Sequence, residues 1–123
     1  MPRGESFFAK YPDYRVDLVP GSEPVQVSFA GAVIAETSRP LYVRETKHDE
    51  VVYFAREDVN FAHLVSTDHS THCPFKGDAT YWTLRVGDEE SENSVWGYED
   101  PFPEVAGLAG YVAFYPDRVE WSR

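Results

Sequence analysis

The stretch that decides the fold is Val25–Thr37, which reads VQVSFAGAVIAET. Its first half, VQVSF, alternates apolar and polar residues, as a strand with one buried face does. Ala30-Gly31 then supplies a turn signal, and the apolar run AVIAE follows directly. This pattern predicts a β-hairpin.

The next runs predict further strands. LYVRET (41–46) and VVYF (51–54) follow the hairpin with short links, which predicts an antiparallel meander of four strands. In LYVRET, one face would carry Tyr42, Arg44 and Thr46, and the other face would carry Leu41, Val43 and Glu45.

The second half of the chain continues in the same way. ATYWTLRV and SVWGYE predict strands, and YVAFY and VEW predict a closing hairpin around PDR. GDEESEN predicts an acidic loop, and REDVNFAHL fits either a helical turn or a strand. DPFPEVAGLAG predicts one short helix, with Pro103 in its first turn and Gly110 at its end.

These patterns predict an all-β, mainly antiparallel fold with one or two short helical turns. A chain of 123 residues matches the usual size of one domain. We therefore expect a single domain over 1–123, with a core over 25–121. Residues 1–24, rich in aromatic residues and proline, are expected to form an N-terminal arm laid over the sheet.

Composition excludes several function classes. Twenty-one acidic residues against eleven basic ones give a net charge of −10, which disfavours nucleic acid and anionic membranes as partners. The single cysteine excludes an intrachain disulfide, and no run approaches the ~20 apolar residues of a membrane span. We expect a cytoplasmic protein, and the sequence does not fix its oligomeric state.

The segment STDHSTHCPFKGDATYW (66–82) concentrates the reactive side chains. Asp68, His69, His72 and Cys73 are all potential metal ligands, but zinc sites usually draw on two separated pairs. No second pair exists, so the sequence predicts a polar loop with no bound metal and no cofactor.

Cys73 leaves three interpretations open: a catalytic thiol, a structural thiol or a ligand contact. His72 and Lys76 lie close enough in sequence to favour the reactive thiolate form of a cysteine. Free cysteines are nevertheless often buried as small hydrophobic residues. We expect Cys73 to be largely buried at a pocket floor, with His69 the better candidate for proton transfer.

Five strings together resemble the family called domain of unknown function 427: LYVRET, VVYFAREDV, THCPFKGDATYW, WGYEDPFPEV and GYVAFYPDRV. The resemblance implies a β-tent-like fold of two small sheets, similar to methionine sulfoxide reductase B. Such relatives often carry a four-cysteine zinc, which this sequence cannot form, so packing must hold the sheets. Members are often labelled nucleotidyltransferases, but the two metal-binding aspartates of a D-x-D motif are missing here.

By resemblance, the motif residues are Arg44, Glu45, Tyr53, Asp58, His69, Cys73, Lys76, Asp78, Tyr81, Trp96 and Tyr98. Their mixture of charged and aromatic side chains is typical of a pocket. The resemblance implies that Arg44 and Lys76 contact a small anionic, nucleotide-like ligand, that Glu45 orients the arginine, and that Tyr81, Trp96 and Tyr98 form the walls.

The leading functional hypothesis is therefore a small-molecule-binding β domain, with His69 as acid or base if the pocket is catalytic. One alternative is a thiol enzyme that uses Cys73. The other is a protein-interaction module that uses the acidic segment 88–92. We expect the charged ends of Arg44 and Lys76 to converge on one concavity, and expect Lys76→Ala to cost little folding stability.

Overall fold

The structure is a computed structural model that describes residues 5–123. It confirms an all-β, antiparallel fold in which no described helix reaches seven residues. The described strands are β1 (Val16–Pro20), β2 (Val25–Phe29), β3 (Ala32–Thr37), β4 (Leu41–Glu45), β5 (Val51–Ala55), β6 (Leu64–Cys73), β7 (Gly77–Val86), β8 (Glu89–Gly97), β9 (Tyr111–Phe114) and β10 (Glu120–Ser122).

These strands form two sheets in which all neighbours are antiparallel. The large sheet has seven strands in the order β1-β4-β5-β9-β8-β7-β6. The small sheet has three strands in the order β10-β2-β3. The two-sheet arrangement expected from the resemblance is confirmed in these terms.

The hairpin over Val25–Thr37 is confirmed as β2–β3, with positive φ angles of 50° at Ala30 and 83° at Gly31 in its turn. The predicted four-strand meander is wrong, because β2 and β3 belong to the small sheet while β4 and β5 belong to the large one. The predicted closing hairpin is also wrong, since β9 lies in the large sheet and β10 pairs with β2.

The hairpin lies in a separate sheet because packing face to face against the large sheet covers its apolar face. Adding the hairpin to an edge of the large sheet would cover that face less well. Val25, Val27 and Ile34 are each at most 1% exposed. They share one buried cluster with Phe54 and Leu84 of the large sheet. Facing sheets bury such side chains completely.

Two predicted loops and one predicted helix take other forms. The segment expected to be a polar loop is strand β6 up to Cys73, and the expected acidic loop is a tight turn at residues 87–88 that leads into β8. The ambiguous REDVNFAHL forms two 3₁₀ turns, Arg56–Asp58 and Phe61–His63. Pro103–Leu108 is also 3₁₀, with a break at Val105.

The large sheet is buried on both faces, because successive side chains along its strands belong alternately to two hydrophobic clusters. Phe54, Trp82 and Phe114 face the small sheet. Their neighbours Tyr53 and Ala113 face a second cluster that contains Leu108 of the 3₁₀ segment. This second face positions the candidate site.

The N-terminal region is more integrated than an arm. Val16–Pro20 pairs with β4 as an edge strand, while Phe7, Phe8, Tyr11 and Tyr14 place their rings around Phe75. Residues 1–4 of the expected arm lie outside the described residues. Within 5–123, no helix is long and apolar enough to cross a membrane.

Candidate functional site

A row of side chains crosses the middle of the large sheet. Register pairs Tyr53 of β5 with Ala113 of β9, Ala113 with Trp96 of β8, and Trp96 with Tyr81 of β7. Directly opposed residues in a sheet point to the same face. Because Ala113 is small, Trp96 reaches over it, and its indole Nε1 donates a hydrogen bond of 3.2 Å to the Tyr53 hydroxyl.

This row forms one wall of a cavity of about 770 Å³, within the range of roughly 300–1,000 Å³ typical of ligand pockets. The rest of the lining comes from the segment before β1, the end of β4, the β4–β5 connection, the β6–β7 turn and the residues that follow β8 and β9. The lining residues are Tyr14, Val43, Glu45, His48, Asp49, Glu50, Val51, Tyr53, His72, Cys73, Pro74, Phe75, Lys76, Tyr81, Trp96, Tyr98, Tyr115 and Pro116.

An ion pair between Lys76 and Glu45 is the main charged feature of the cavity. The Lys76 ammonium donates to Glu45 Oε1, and each side chain is only 10% exposed. The other carboxylate oxygen of Glu45 accepts a hydrogen bond from the Tyr14 hydroxyl. Among the described residues, Glu45 is the only hydrogen-bond partner of the ammonium, so two of its three N–H donors lack a protein acceptor.

The β6–β7 turn places Lys76 in this position. Gly77 has a φ of +115°, which L-residues with side chains rarely adopt, and a Cβ there would lie 3.4 Å from the Asp100 carbonyl oxygen. The backbone amide of Phe102 donates to the Lys76 carbonyl at 3.1 Å. Lys76 is therefore held by its backbone as well as by Glu45.

The buried pair corrects the expectation that Lys76→Ala would cost little folding stability. Removing one partner of a buried ion pair leaves an uncompensated charge and costs about 3–5 kcal/mol. Lys76 is 8% exposed as a whole residue. It is therefore part of the packed structure and not a free cleft lysine.

Arg44 does not line the cavity. Its guanidinium lies on the other face of β4 and forms an exposed ion pair with Glu50, with 2.7 Å between Nε and Oε2. The expected convergence of Arg44 and Lys76 is therefore wrong, and Glu45 orients Lys76 instead of the arginine. The alternation read from LYVRET, with Val43 and Glu45 on one face and Arg44 on the other, is confirmed.

The histidines are distributed differently from the expectation. His69 lies outside the cavity, where its ring meets the Tyr81 ring edge-on with 4.5 Å between centroids. His72 lines the cavity and is bonded to Asp78, with 2.7 Å between Nδ1 and Oδ1. Within residues 5–123, no three His, Cys, Asp or Glu side chains are grouped closely enough to hold a metal ion.

Cys73 ends β6 and lines the cavity as expected, but it is half-buried and not largely buried. It packs against the same cluster as Tyr53 and Tyr98. The segment 88–92 was expected to be a contact loop, but its residues from Glu89 onward begin β8, where Glu90 pairs with Arg85.

Five tyrosines line the cavity, and their hydroxyl groups differ in whether they have hydrogen-bond partners. Tyr14 donates to Glu45, and Tyr81 lies 3.0 Å from the Thr71 hydroxyl. Burial and a hydrogen bond to Tyr81 raise the pKa of Tyr115. Tyr98, only 6% exposed, has no hydrogen-bond partner for its hydroxyl among the described residues, and burial raises its pKa far above the ordinary value.

The cavity residues that sequence reasoning missed include Tyr14, His48 and Tyr115. Tyr14 and Tyr115 lie just outside strands, where no local pattern indicates the direction of a side chain. His48 follows Glu45 by three residues in a tight connection, and its Nε2 lies 3.9 Å from the carboxylate. That spacing is the one signal that could have found it.

Two residues implied by resemblance have structural partners instead of cavity positions. Asp58 accepts a hydrogen bond of 2.7 Å from Thr37 and pairs with Arg39, which links the two sheets. Asp78 faces His72 across the β6–β7 hairpin. Neither carboxylate lines the cavity.

A search of curated proteins found no match for the chain. The family model described as a domain of unknown function, DUF427, and named NTP_transf_9 matches residues 17–123. The chain therefore belongs to the DUF427 family.

Proposed function

We propose that the chain is a small-molecule-binding domain and that the cavity around Glu45 and Lys76 is its binding site. The observation that carries this proposal is a nearly buried ammonium that retains two unused N–H donors and faces an open cavity. Proteins rarely leave buried donors without acceptors. A bound ligand would supply the missing ones.

The walls support a ligand with a flat, apolar body. Tyr53, Trp96 and Tyr81 lie on one face of the sheet, and Phe75 also lines the cavity. Apolar and aromatic side chains with a few fixed polar groups are the usual lining of a small-molecule site. A ring of the ligand would stack on this surface, while its polar group would reach Lys76.

The anionic, nucleotide-like ligand expected from the sequence is less well supported. Arg44 is not in the cavity, and the charge of Lys76 is already balanced by Glu45. Asp49 and Glu50 add negative charge to the lining. An anion would have to compete with Glu45 for the single ammonium and would meet a repulsive mouth.

Cys73 provides a test without any substitution, since it is the only cysteine and lines the cavity. The experiment measures the rate of Cys73 alkylation by iodoacetamide with and without benzamide, benzoate or benzamidine. A probe present at about three times its dissociation constant should slow alkylation about fourfold by mass action.

The matched control carries Cys73→Ala with Ala106→Cys, which moves the thiol to an exposed position outside the cavity. Its alkylation rate should not change with any probe. If none of the three probes slows the reaction of Cys73 at concentrations up to ~10 mM, the weak-fragment range, the proposal is refuted.

The same labelling tests the thiol-enzyme hypothesis, which requires rapid alkylation at pH 6.

A further inference from the structure

Three side chains that line the cavity carry hydrogen-bond donors without an acceptor among the described residues. Lys76 has two unused N–H groups, as described above. The Tyr53 hydroxyl oxygen accepts from Trp96 at 3.2 Å, but its own proton has no acceptor among the described residues. Within residues 5–123, the Tyr98 hydroxyl has neither a donor nor an acceptor partner.

Both phenols are deeply buried, since Tyr53 is 2% exposed and Tyr98 is 6% exposed. Burial raises the pKa of each above its ordinary value, so both remain protonated donors at neutral pH. A buried hydroxyl without a partner is unfavourable, and native proteins keep few of them. Two buried phenols with unused O–H donors in one cavity indicate that a ligand supplies the acceptor.

Among the described residues, the partly buried carboxylate that lines the cavity is already engaged. Both oxygens of Glu45 are already engaged, one by Lys76 and the other by Tyr14. The remaining carboxylates, Asp49 and Glu50, are exposed residues at the mouth. Water screens them, so they attract a cation only weakly.

The total charge inside the cavity decides between acceptors of different charge. Lys76 and Glu45 cancel, so a carboxylate or phosphate would lose its hydration without gaining an unpaired positive charge. A carbonyl oxygen accepts the same hydrogen bonds at a much smaller desolvation cost.

We propose, on the basis of the proposed function, that the cavity recognises an uncharged carbonyl group, such as that of an amide, through the hydroxyl of Tyr98, the hydroxyl of Tyr53 and the ammonium of Lys76. The aromatic row from Tyr53 to Tyr81 then holds the planar body attached to that carbonyl.

Three nearly isosteric probes separate the charge classes: benzamide is neutral, benzoate is an anion, and benzamidinium is a cation. Their dissociation constants are measured by ligand-observed NMR titration against the full chain. We expect benzamide to bind at least about fivefold more tightly than either charged probe, because a charged group loses more hydration on burial.

Tyr98→Phe removes one donor and leaves the ring in place. We expect it to weaken benzamide binding by about fivefold to tenfold, the effect of one neutral hydrogen bond. Tyr111→Phe is the matched control, because Tyr111 lies on β9 but does not line the cavity. Thermal unfolding of both variants confirms that they fold.

The outcomes distinguish this inference from the proposed function. Tighter binding of benzoate or of benzamidinium, equal binding of all three probes, or an unchanged benzamide affinity in Tyr98→Phe overturns the carbonyl assignment and leaves the binding site standing. The ranking of the probes on the unsubstituted chain decides the matter if Tyr98→Phe does not fold. No binding by any probe overturns both.

Discussion

The Lys76–Glu45 pair gives the sharpest prediction for stability. Lys76→Met keeps the length of the side chain but removes its charge, and leaves the Glu45 carboxylate, 10% exposed, without its counter-ion. Breaking a buried pair costs about 3–5 kcal/mol. Glu45 still accepts the Tyr14 hydroxyl, and a hydrogen bond to a charged group contributes about 1.5–3 kcal/mol. We therefore expect a net loss near the lower end, ~3 kcal/mol.

Urea unfolding followed by tryptophan fluorescence measures this loss, in a double-mutant cycle with Glu45→Gln. The double variant should lose at least about 1.5 kcal/mol less than the sum of the single losses, because it leaves no unpaired charge. Arg44→Met is the matched control; it breaks the exposed pair with Glu50, which should cost only about 0–1 kcal/mol. Additive losses, or a Lys76→Met loss as small as that of Arg44→Met, would refute the reasoning.

Three further predictions concern single positions. Thr37→Val should cost about 1–3 kcal/mol in urea unfolding, because it leaves the Asp58 carboxylate without the 2.7 Å hydrogen bond from the buried hydroxyl; an unchanged midpoint would contradict this. Gly77→Ala should cost about 1–3 kcal/mol because of its φ of +115°, and a stabilised variant would show that the turn relaxes freely. The raised pKa of Tyr98 means that its phenol ionises more readily in the unfolded chain, so stability falls as pH rises above the ordinary tyrosine value of 10.0. Tyr98→Phe should therefore shift alkaline unfolding, followed by circular dichroism, to higher pH, whereas an unchanged midpoint would count against this assignment.

Local patterns in the sequence predict most of the strands, but they miss β1 and β6 and do not show which sheet each strand joins. The alternation in VQVSF and the Ala30-Gly31 turn were sufficient for the β2–β3 hairpin, because a hairpin is a local structure. Assignment of that hairpin to the small sheet depends on burial against Phe54 and Leu84, which lie far away in sequence. No local period contains that information.

The same limit explains the outcome at the candidate site. Alternation in LYVRET correctly separated Glu45 from Arg44, but the family resemblance grouped the two residues in one pocket. The pairing of Lys76 with Glu45 joins residues 31 positions apart. An ion pair across that separation depends on the β6–β7 turn meeting the end of β4, which only the folded chain reveals.

The central claim, that a small molecule binds in this cavity, is tested most directly by the three tryptophan indole N–H signals in a ¹⁵N–¹H correlation spectrum. Trp96 lines the cavity, whereas Trp82 faces the other side of the sheet and Trp121 lies on β10. Titration with benzamide should shift the Trp96 signal in a saturable manner and leave the other two in place. Three signals that do not move up to ~10 mM benzamide, or equal shifts of all three, would contradict the account.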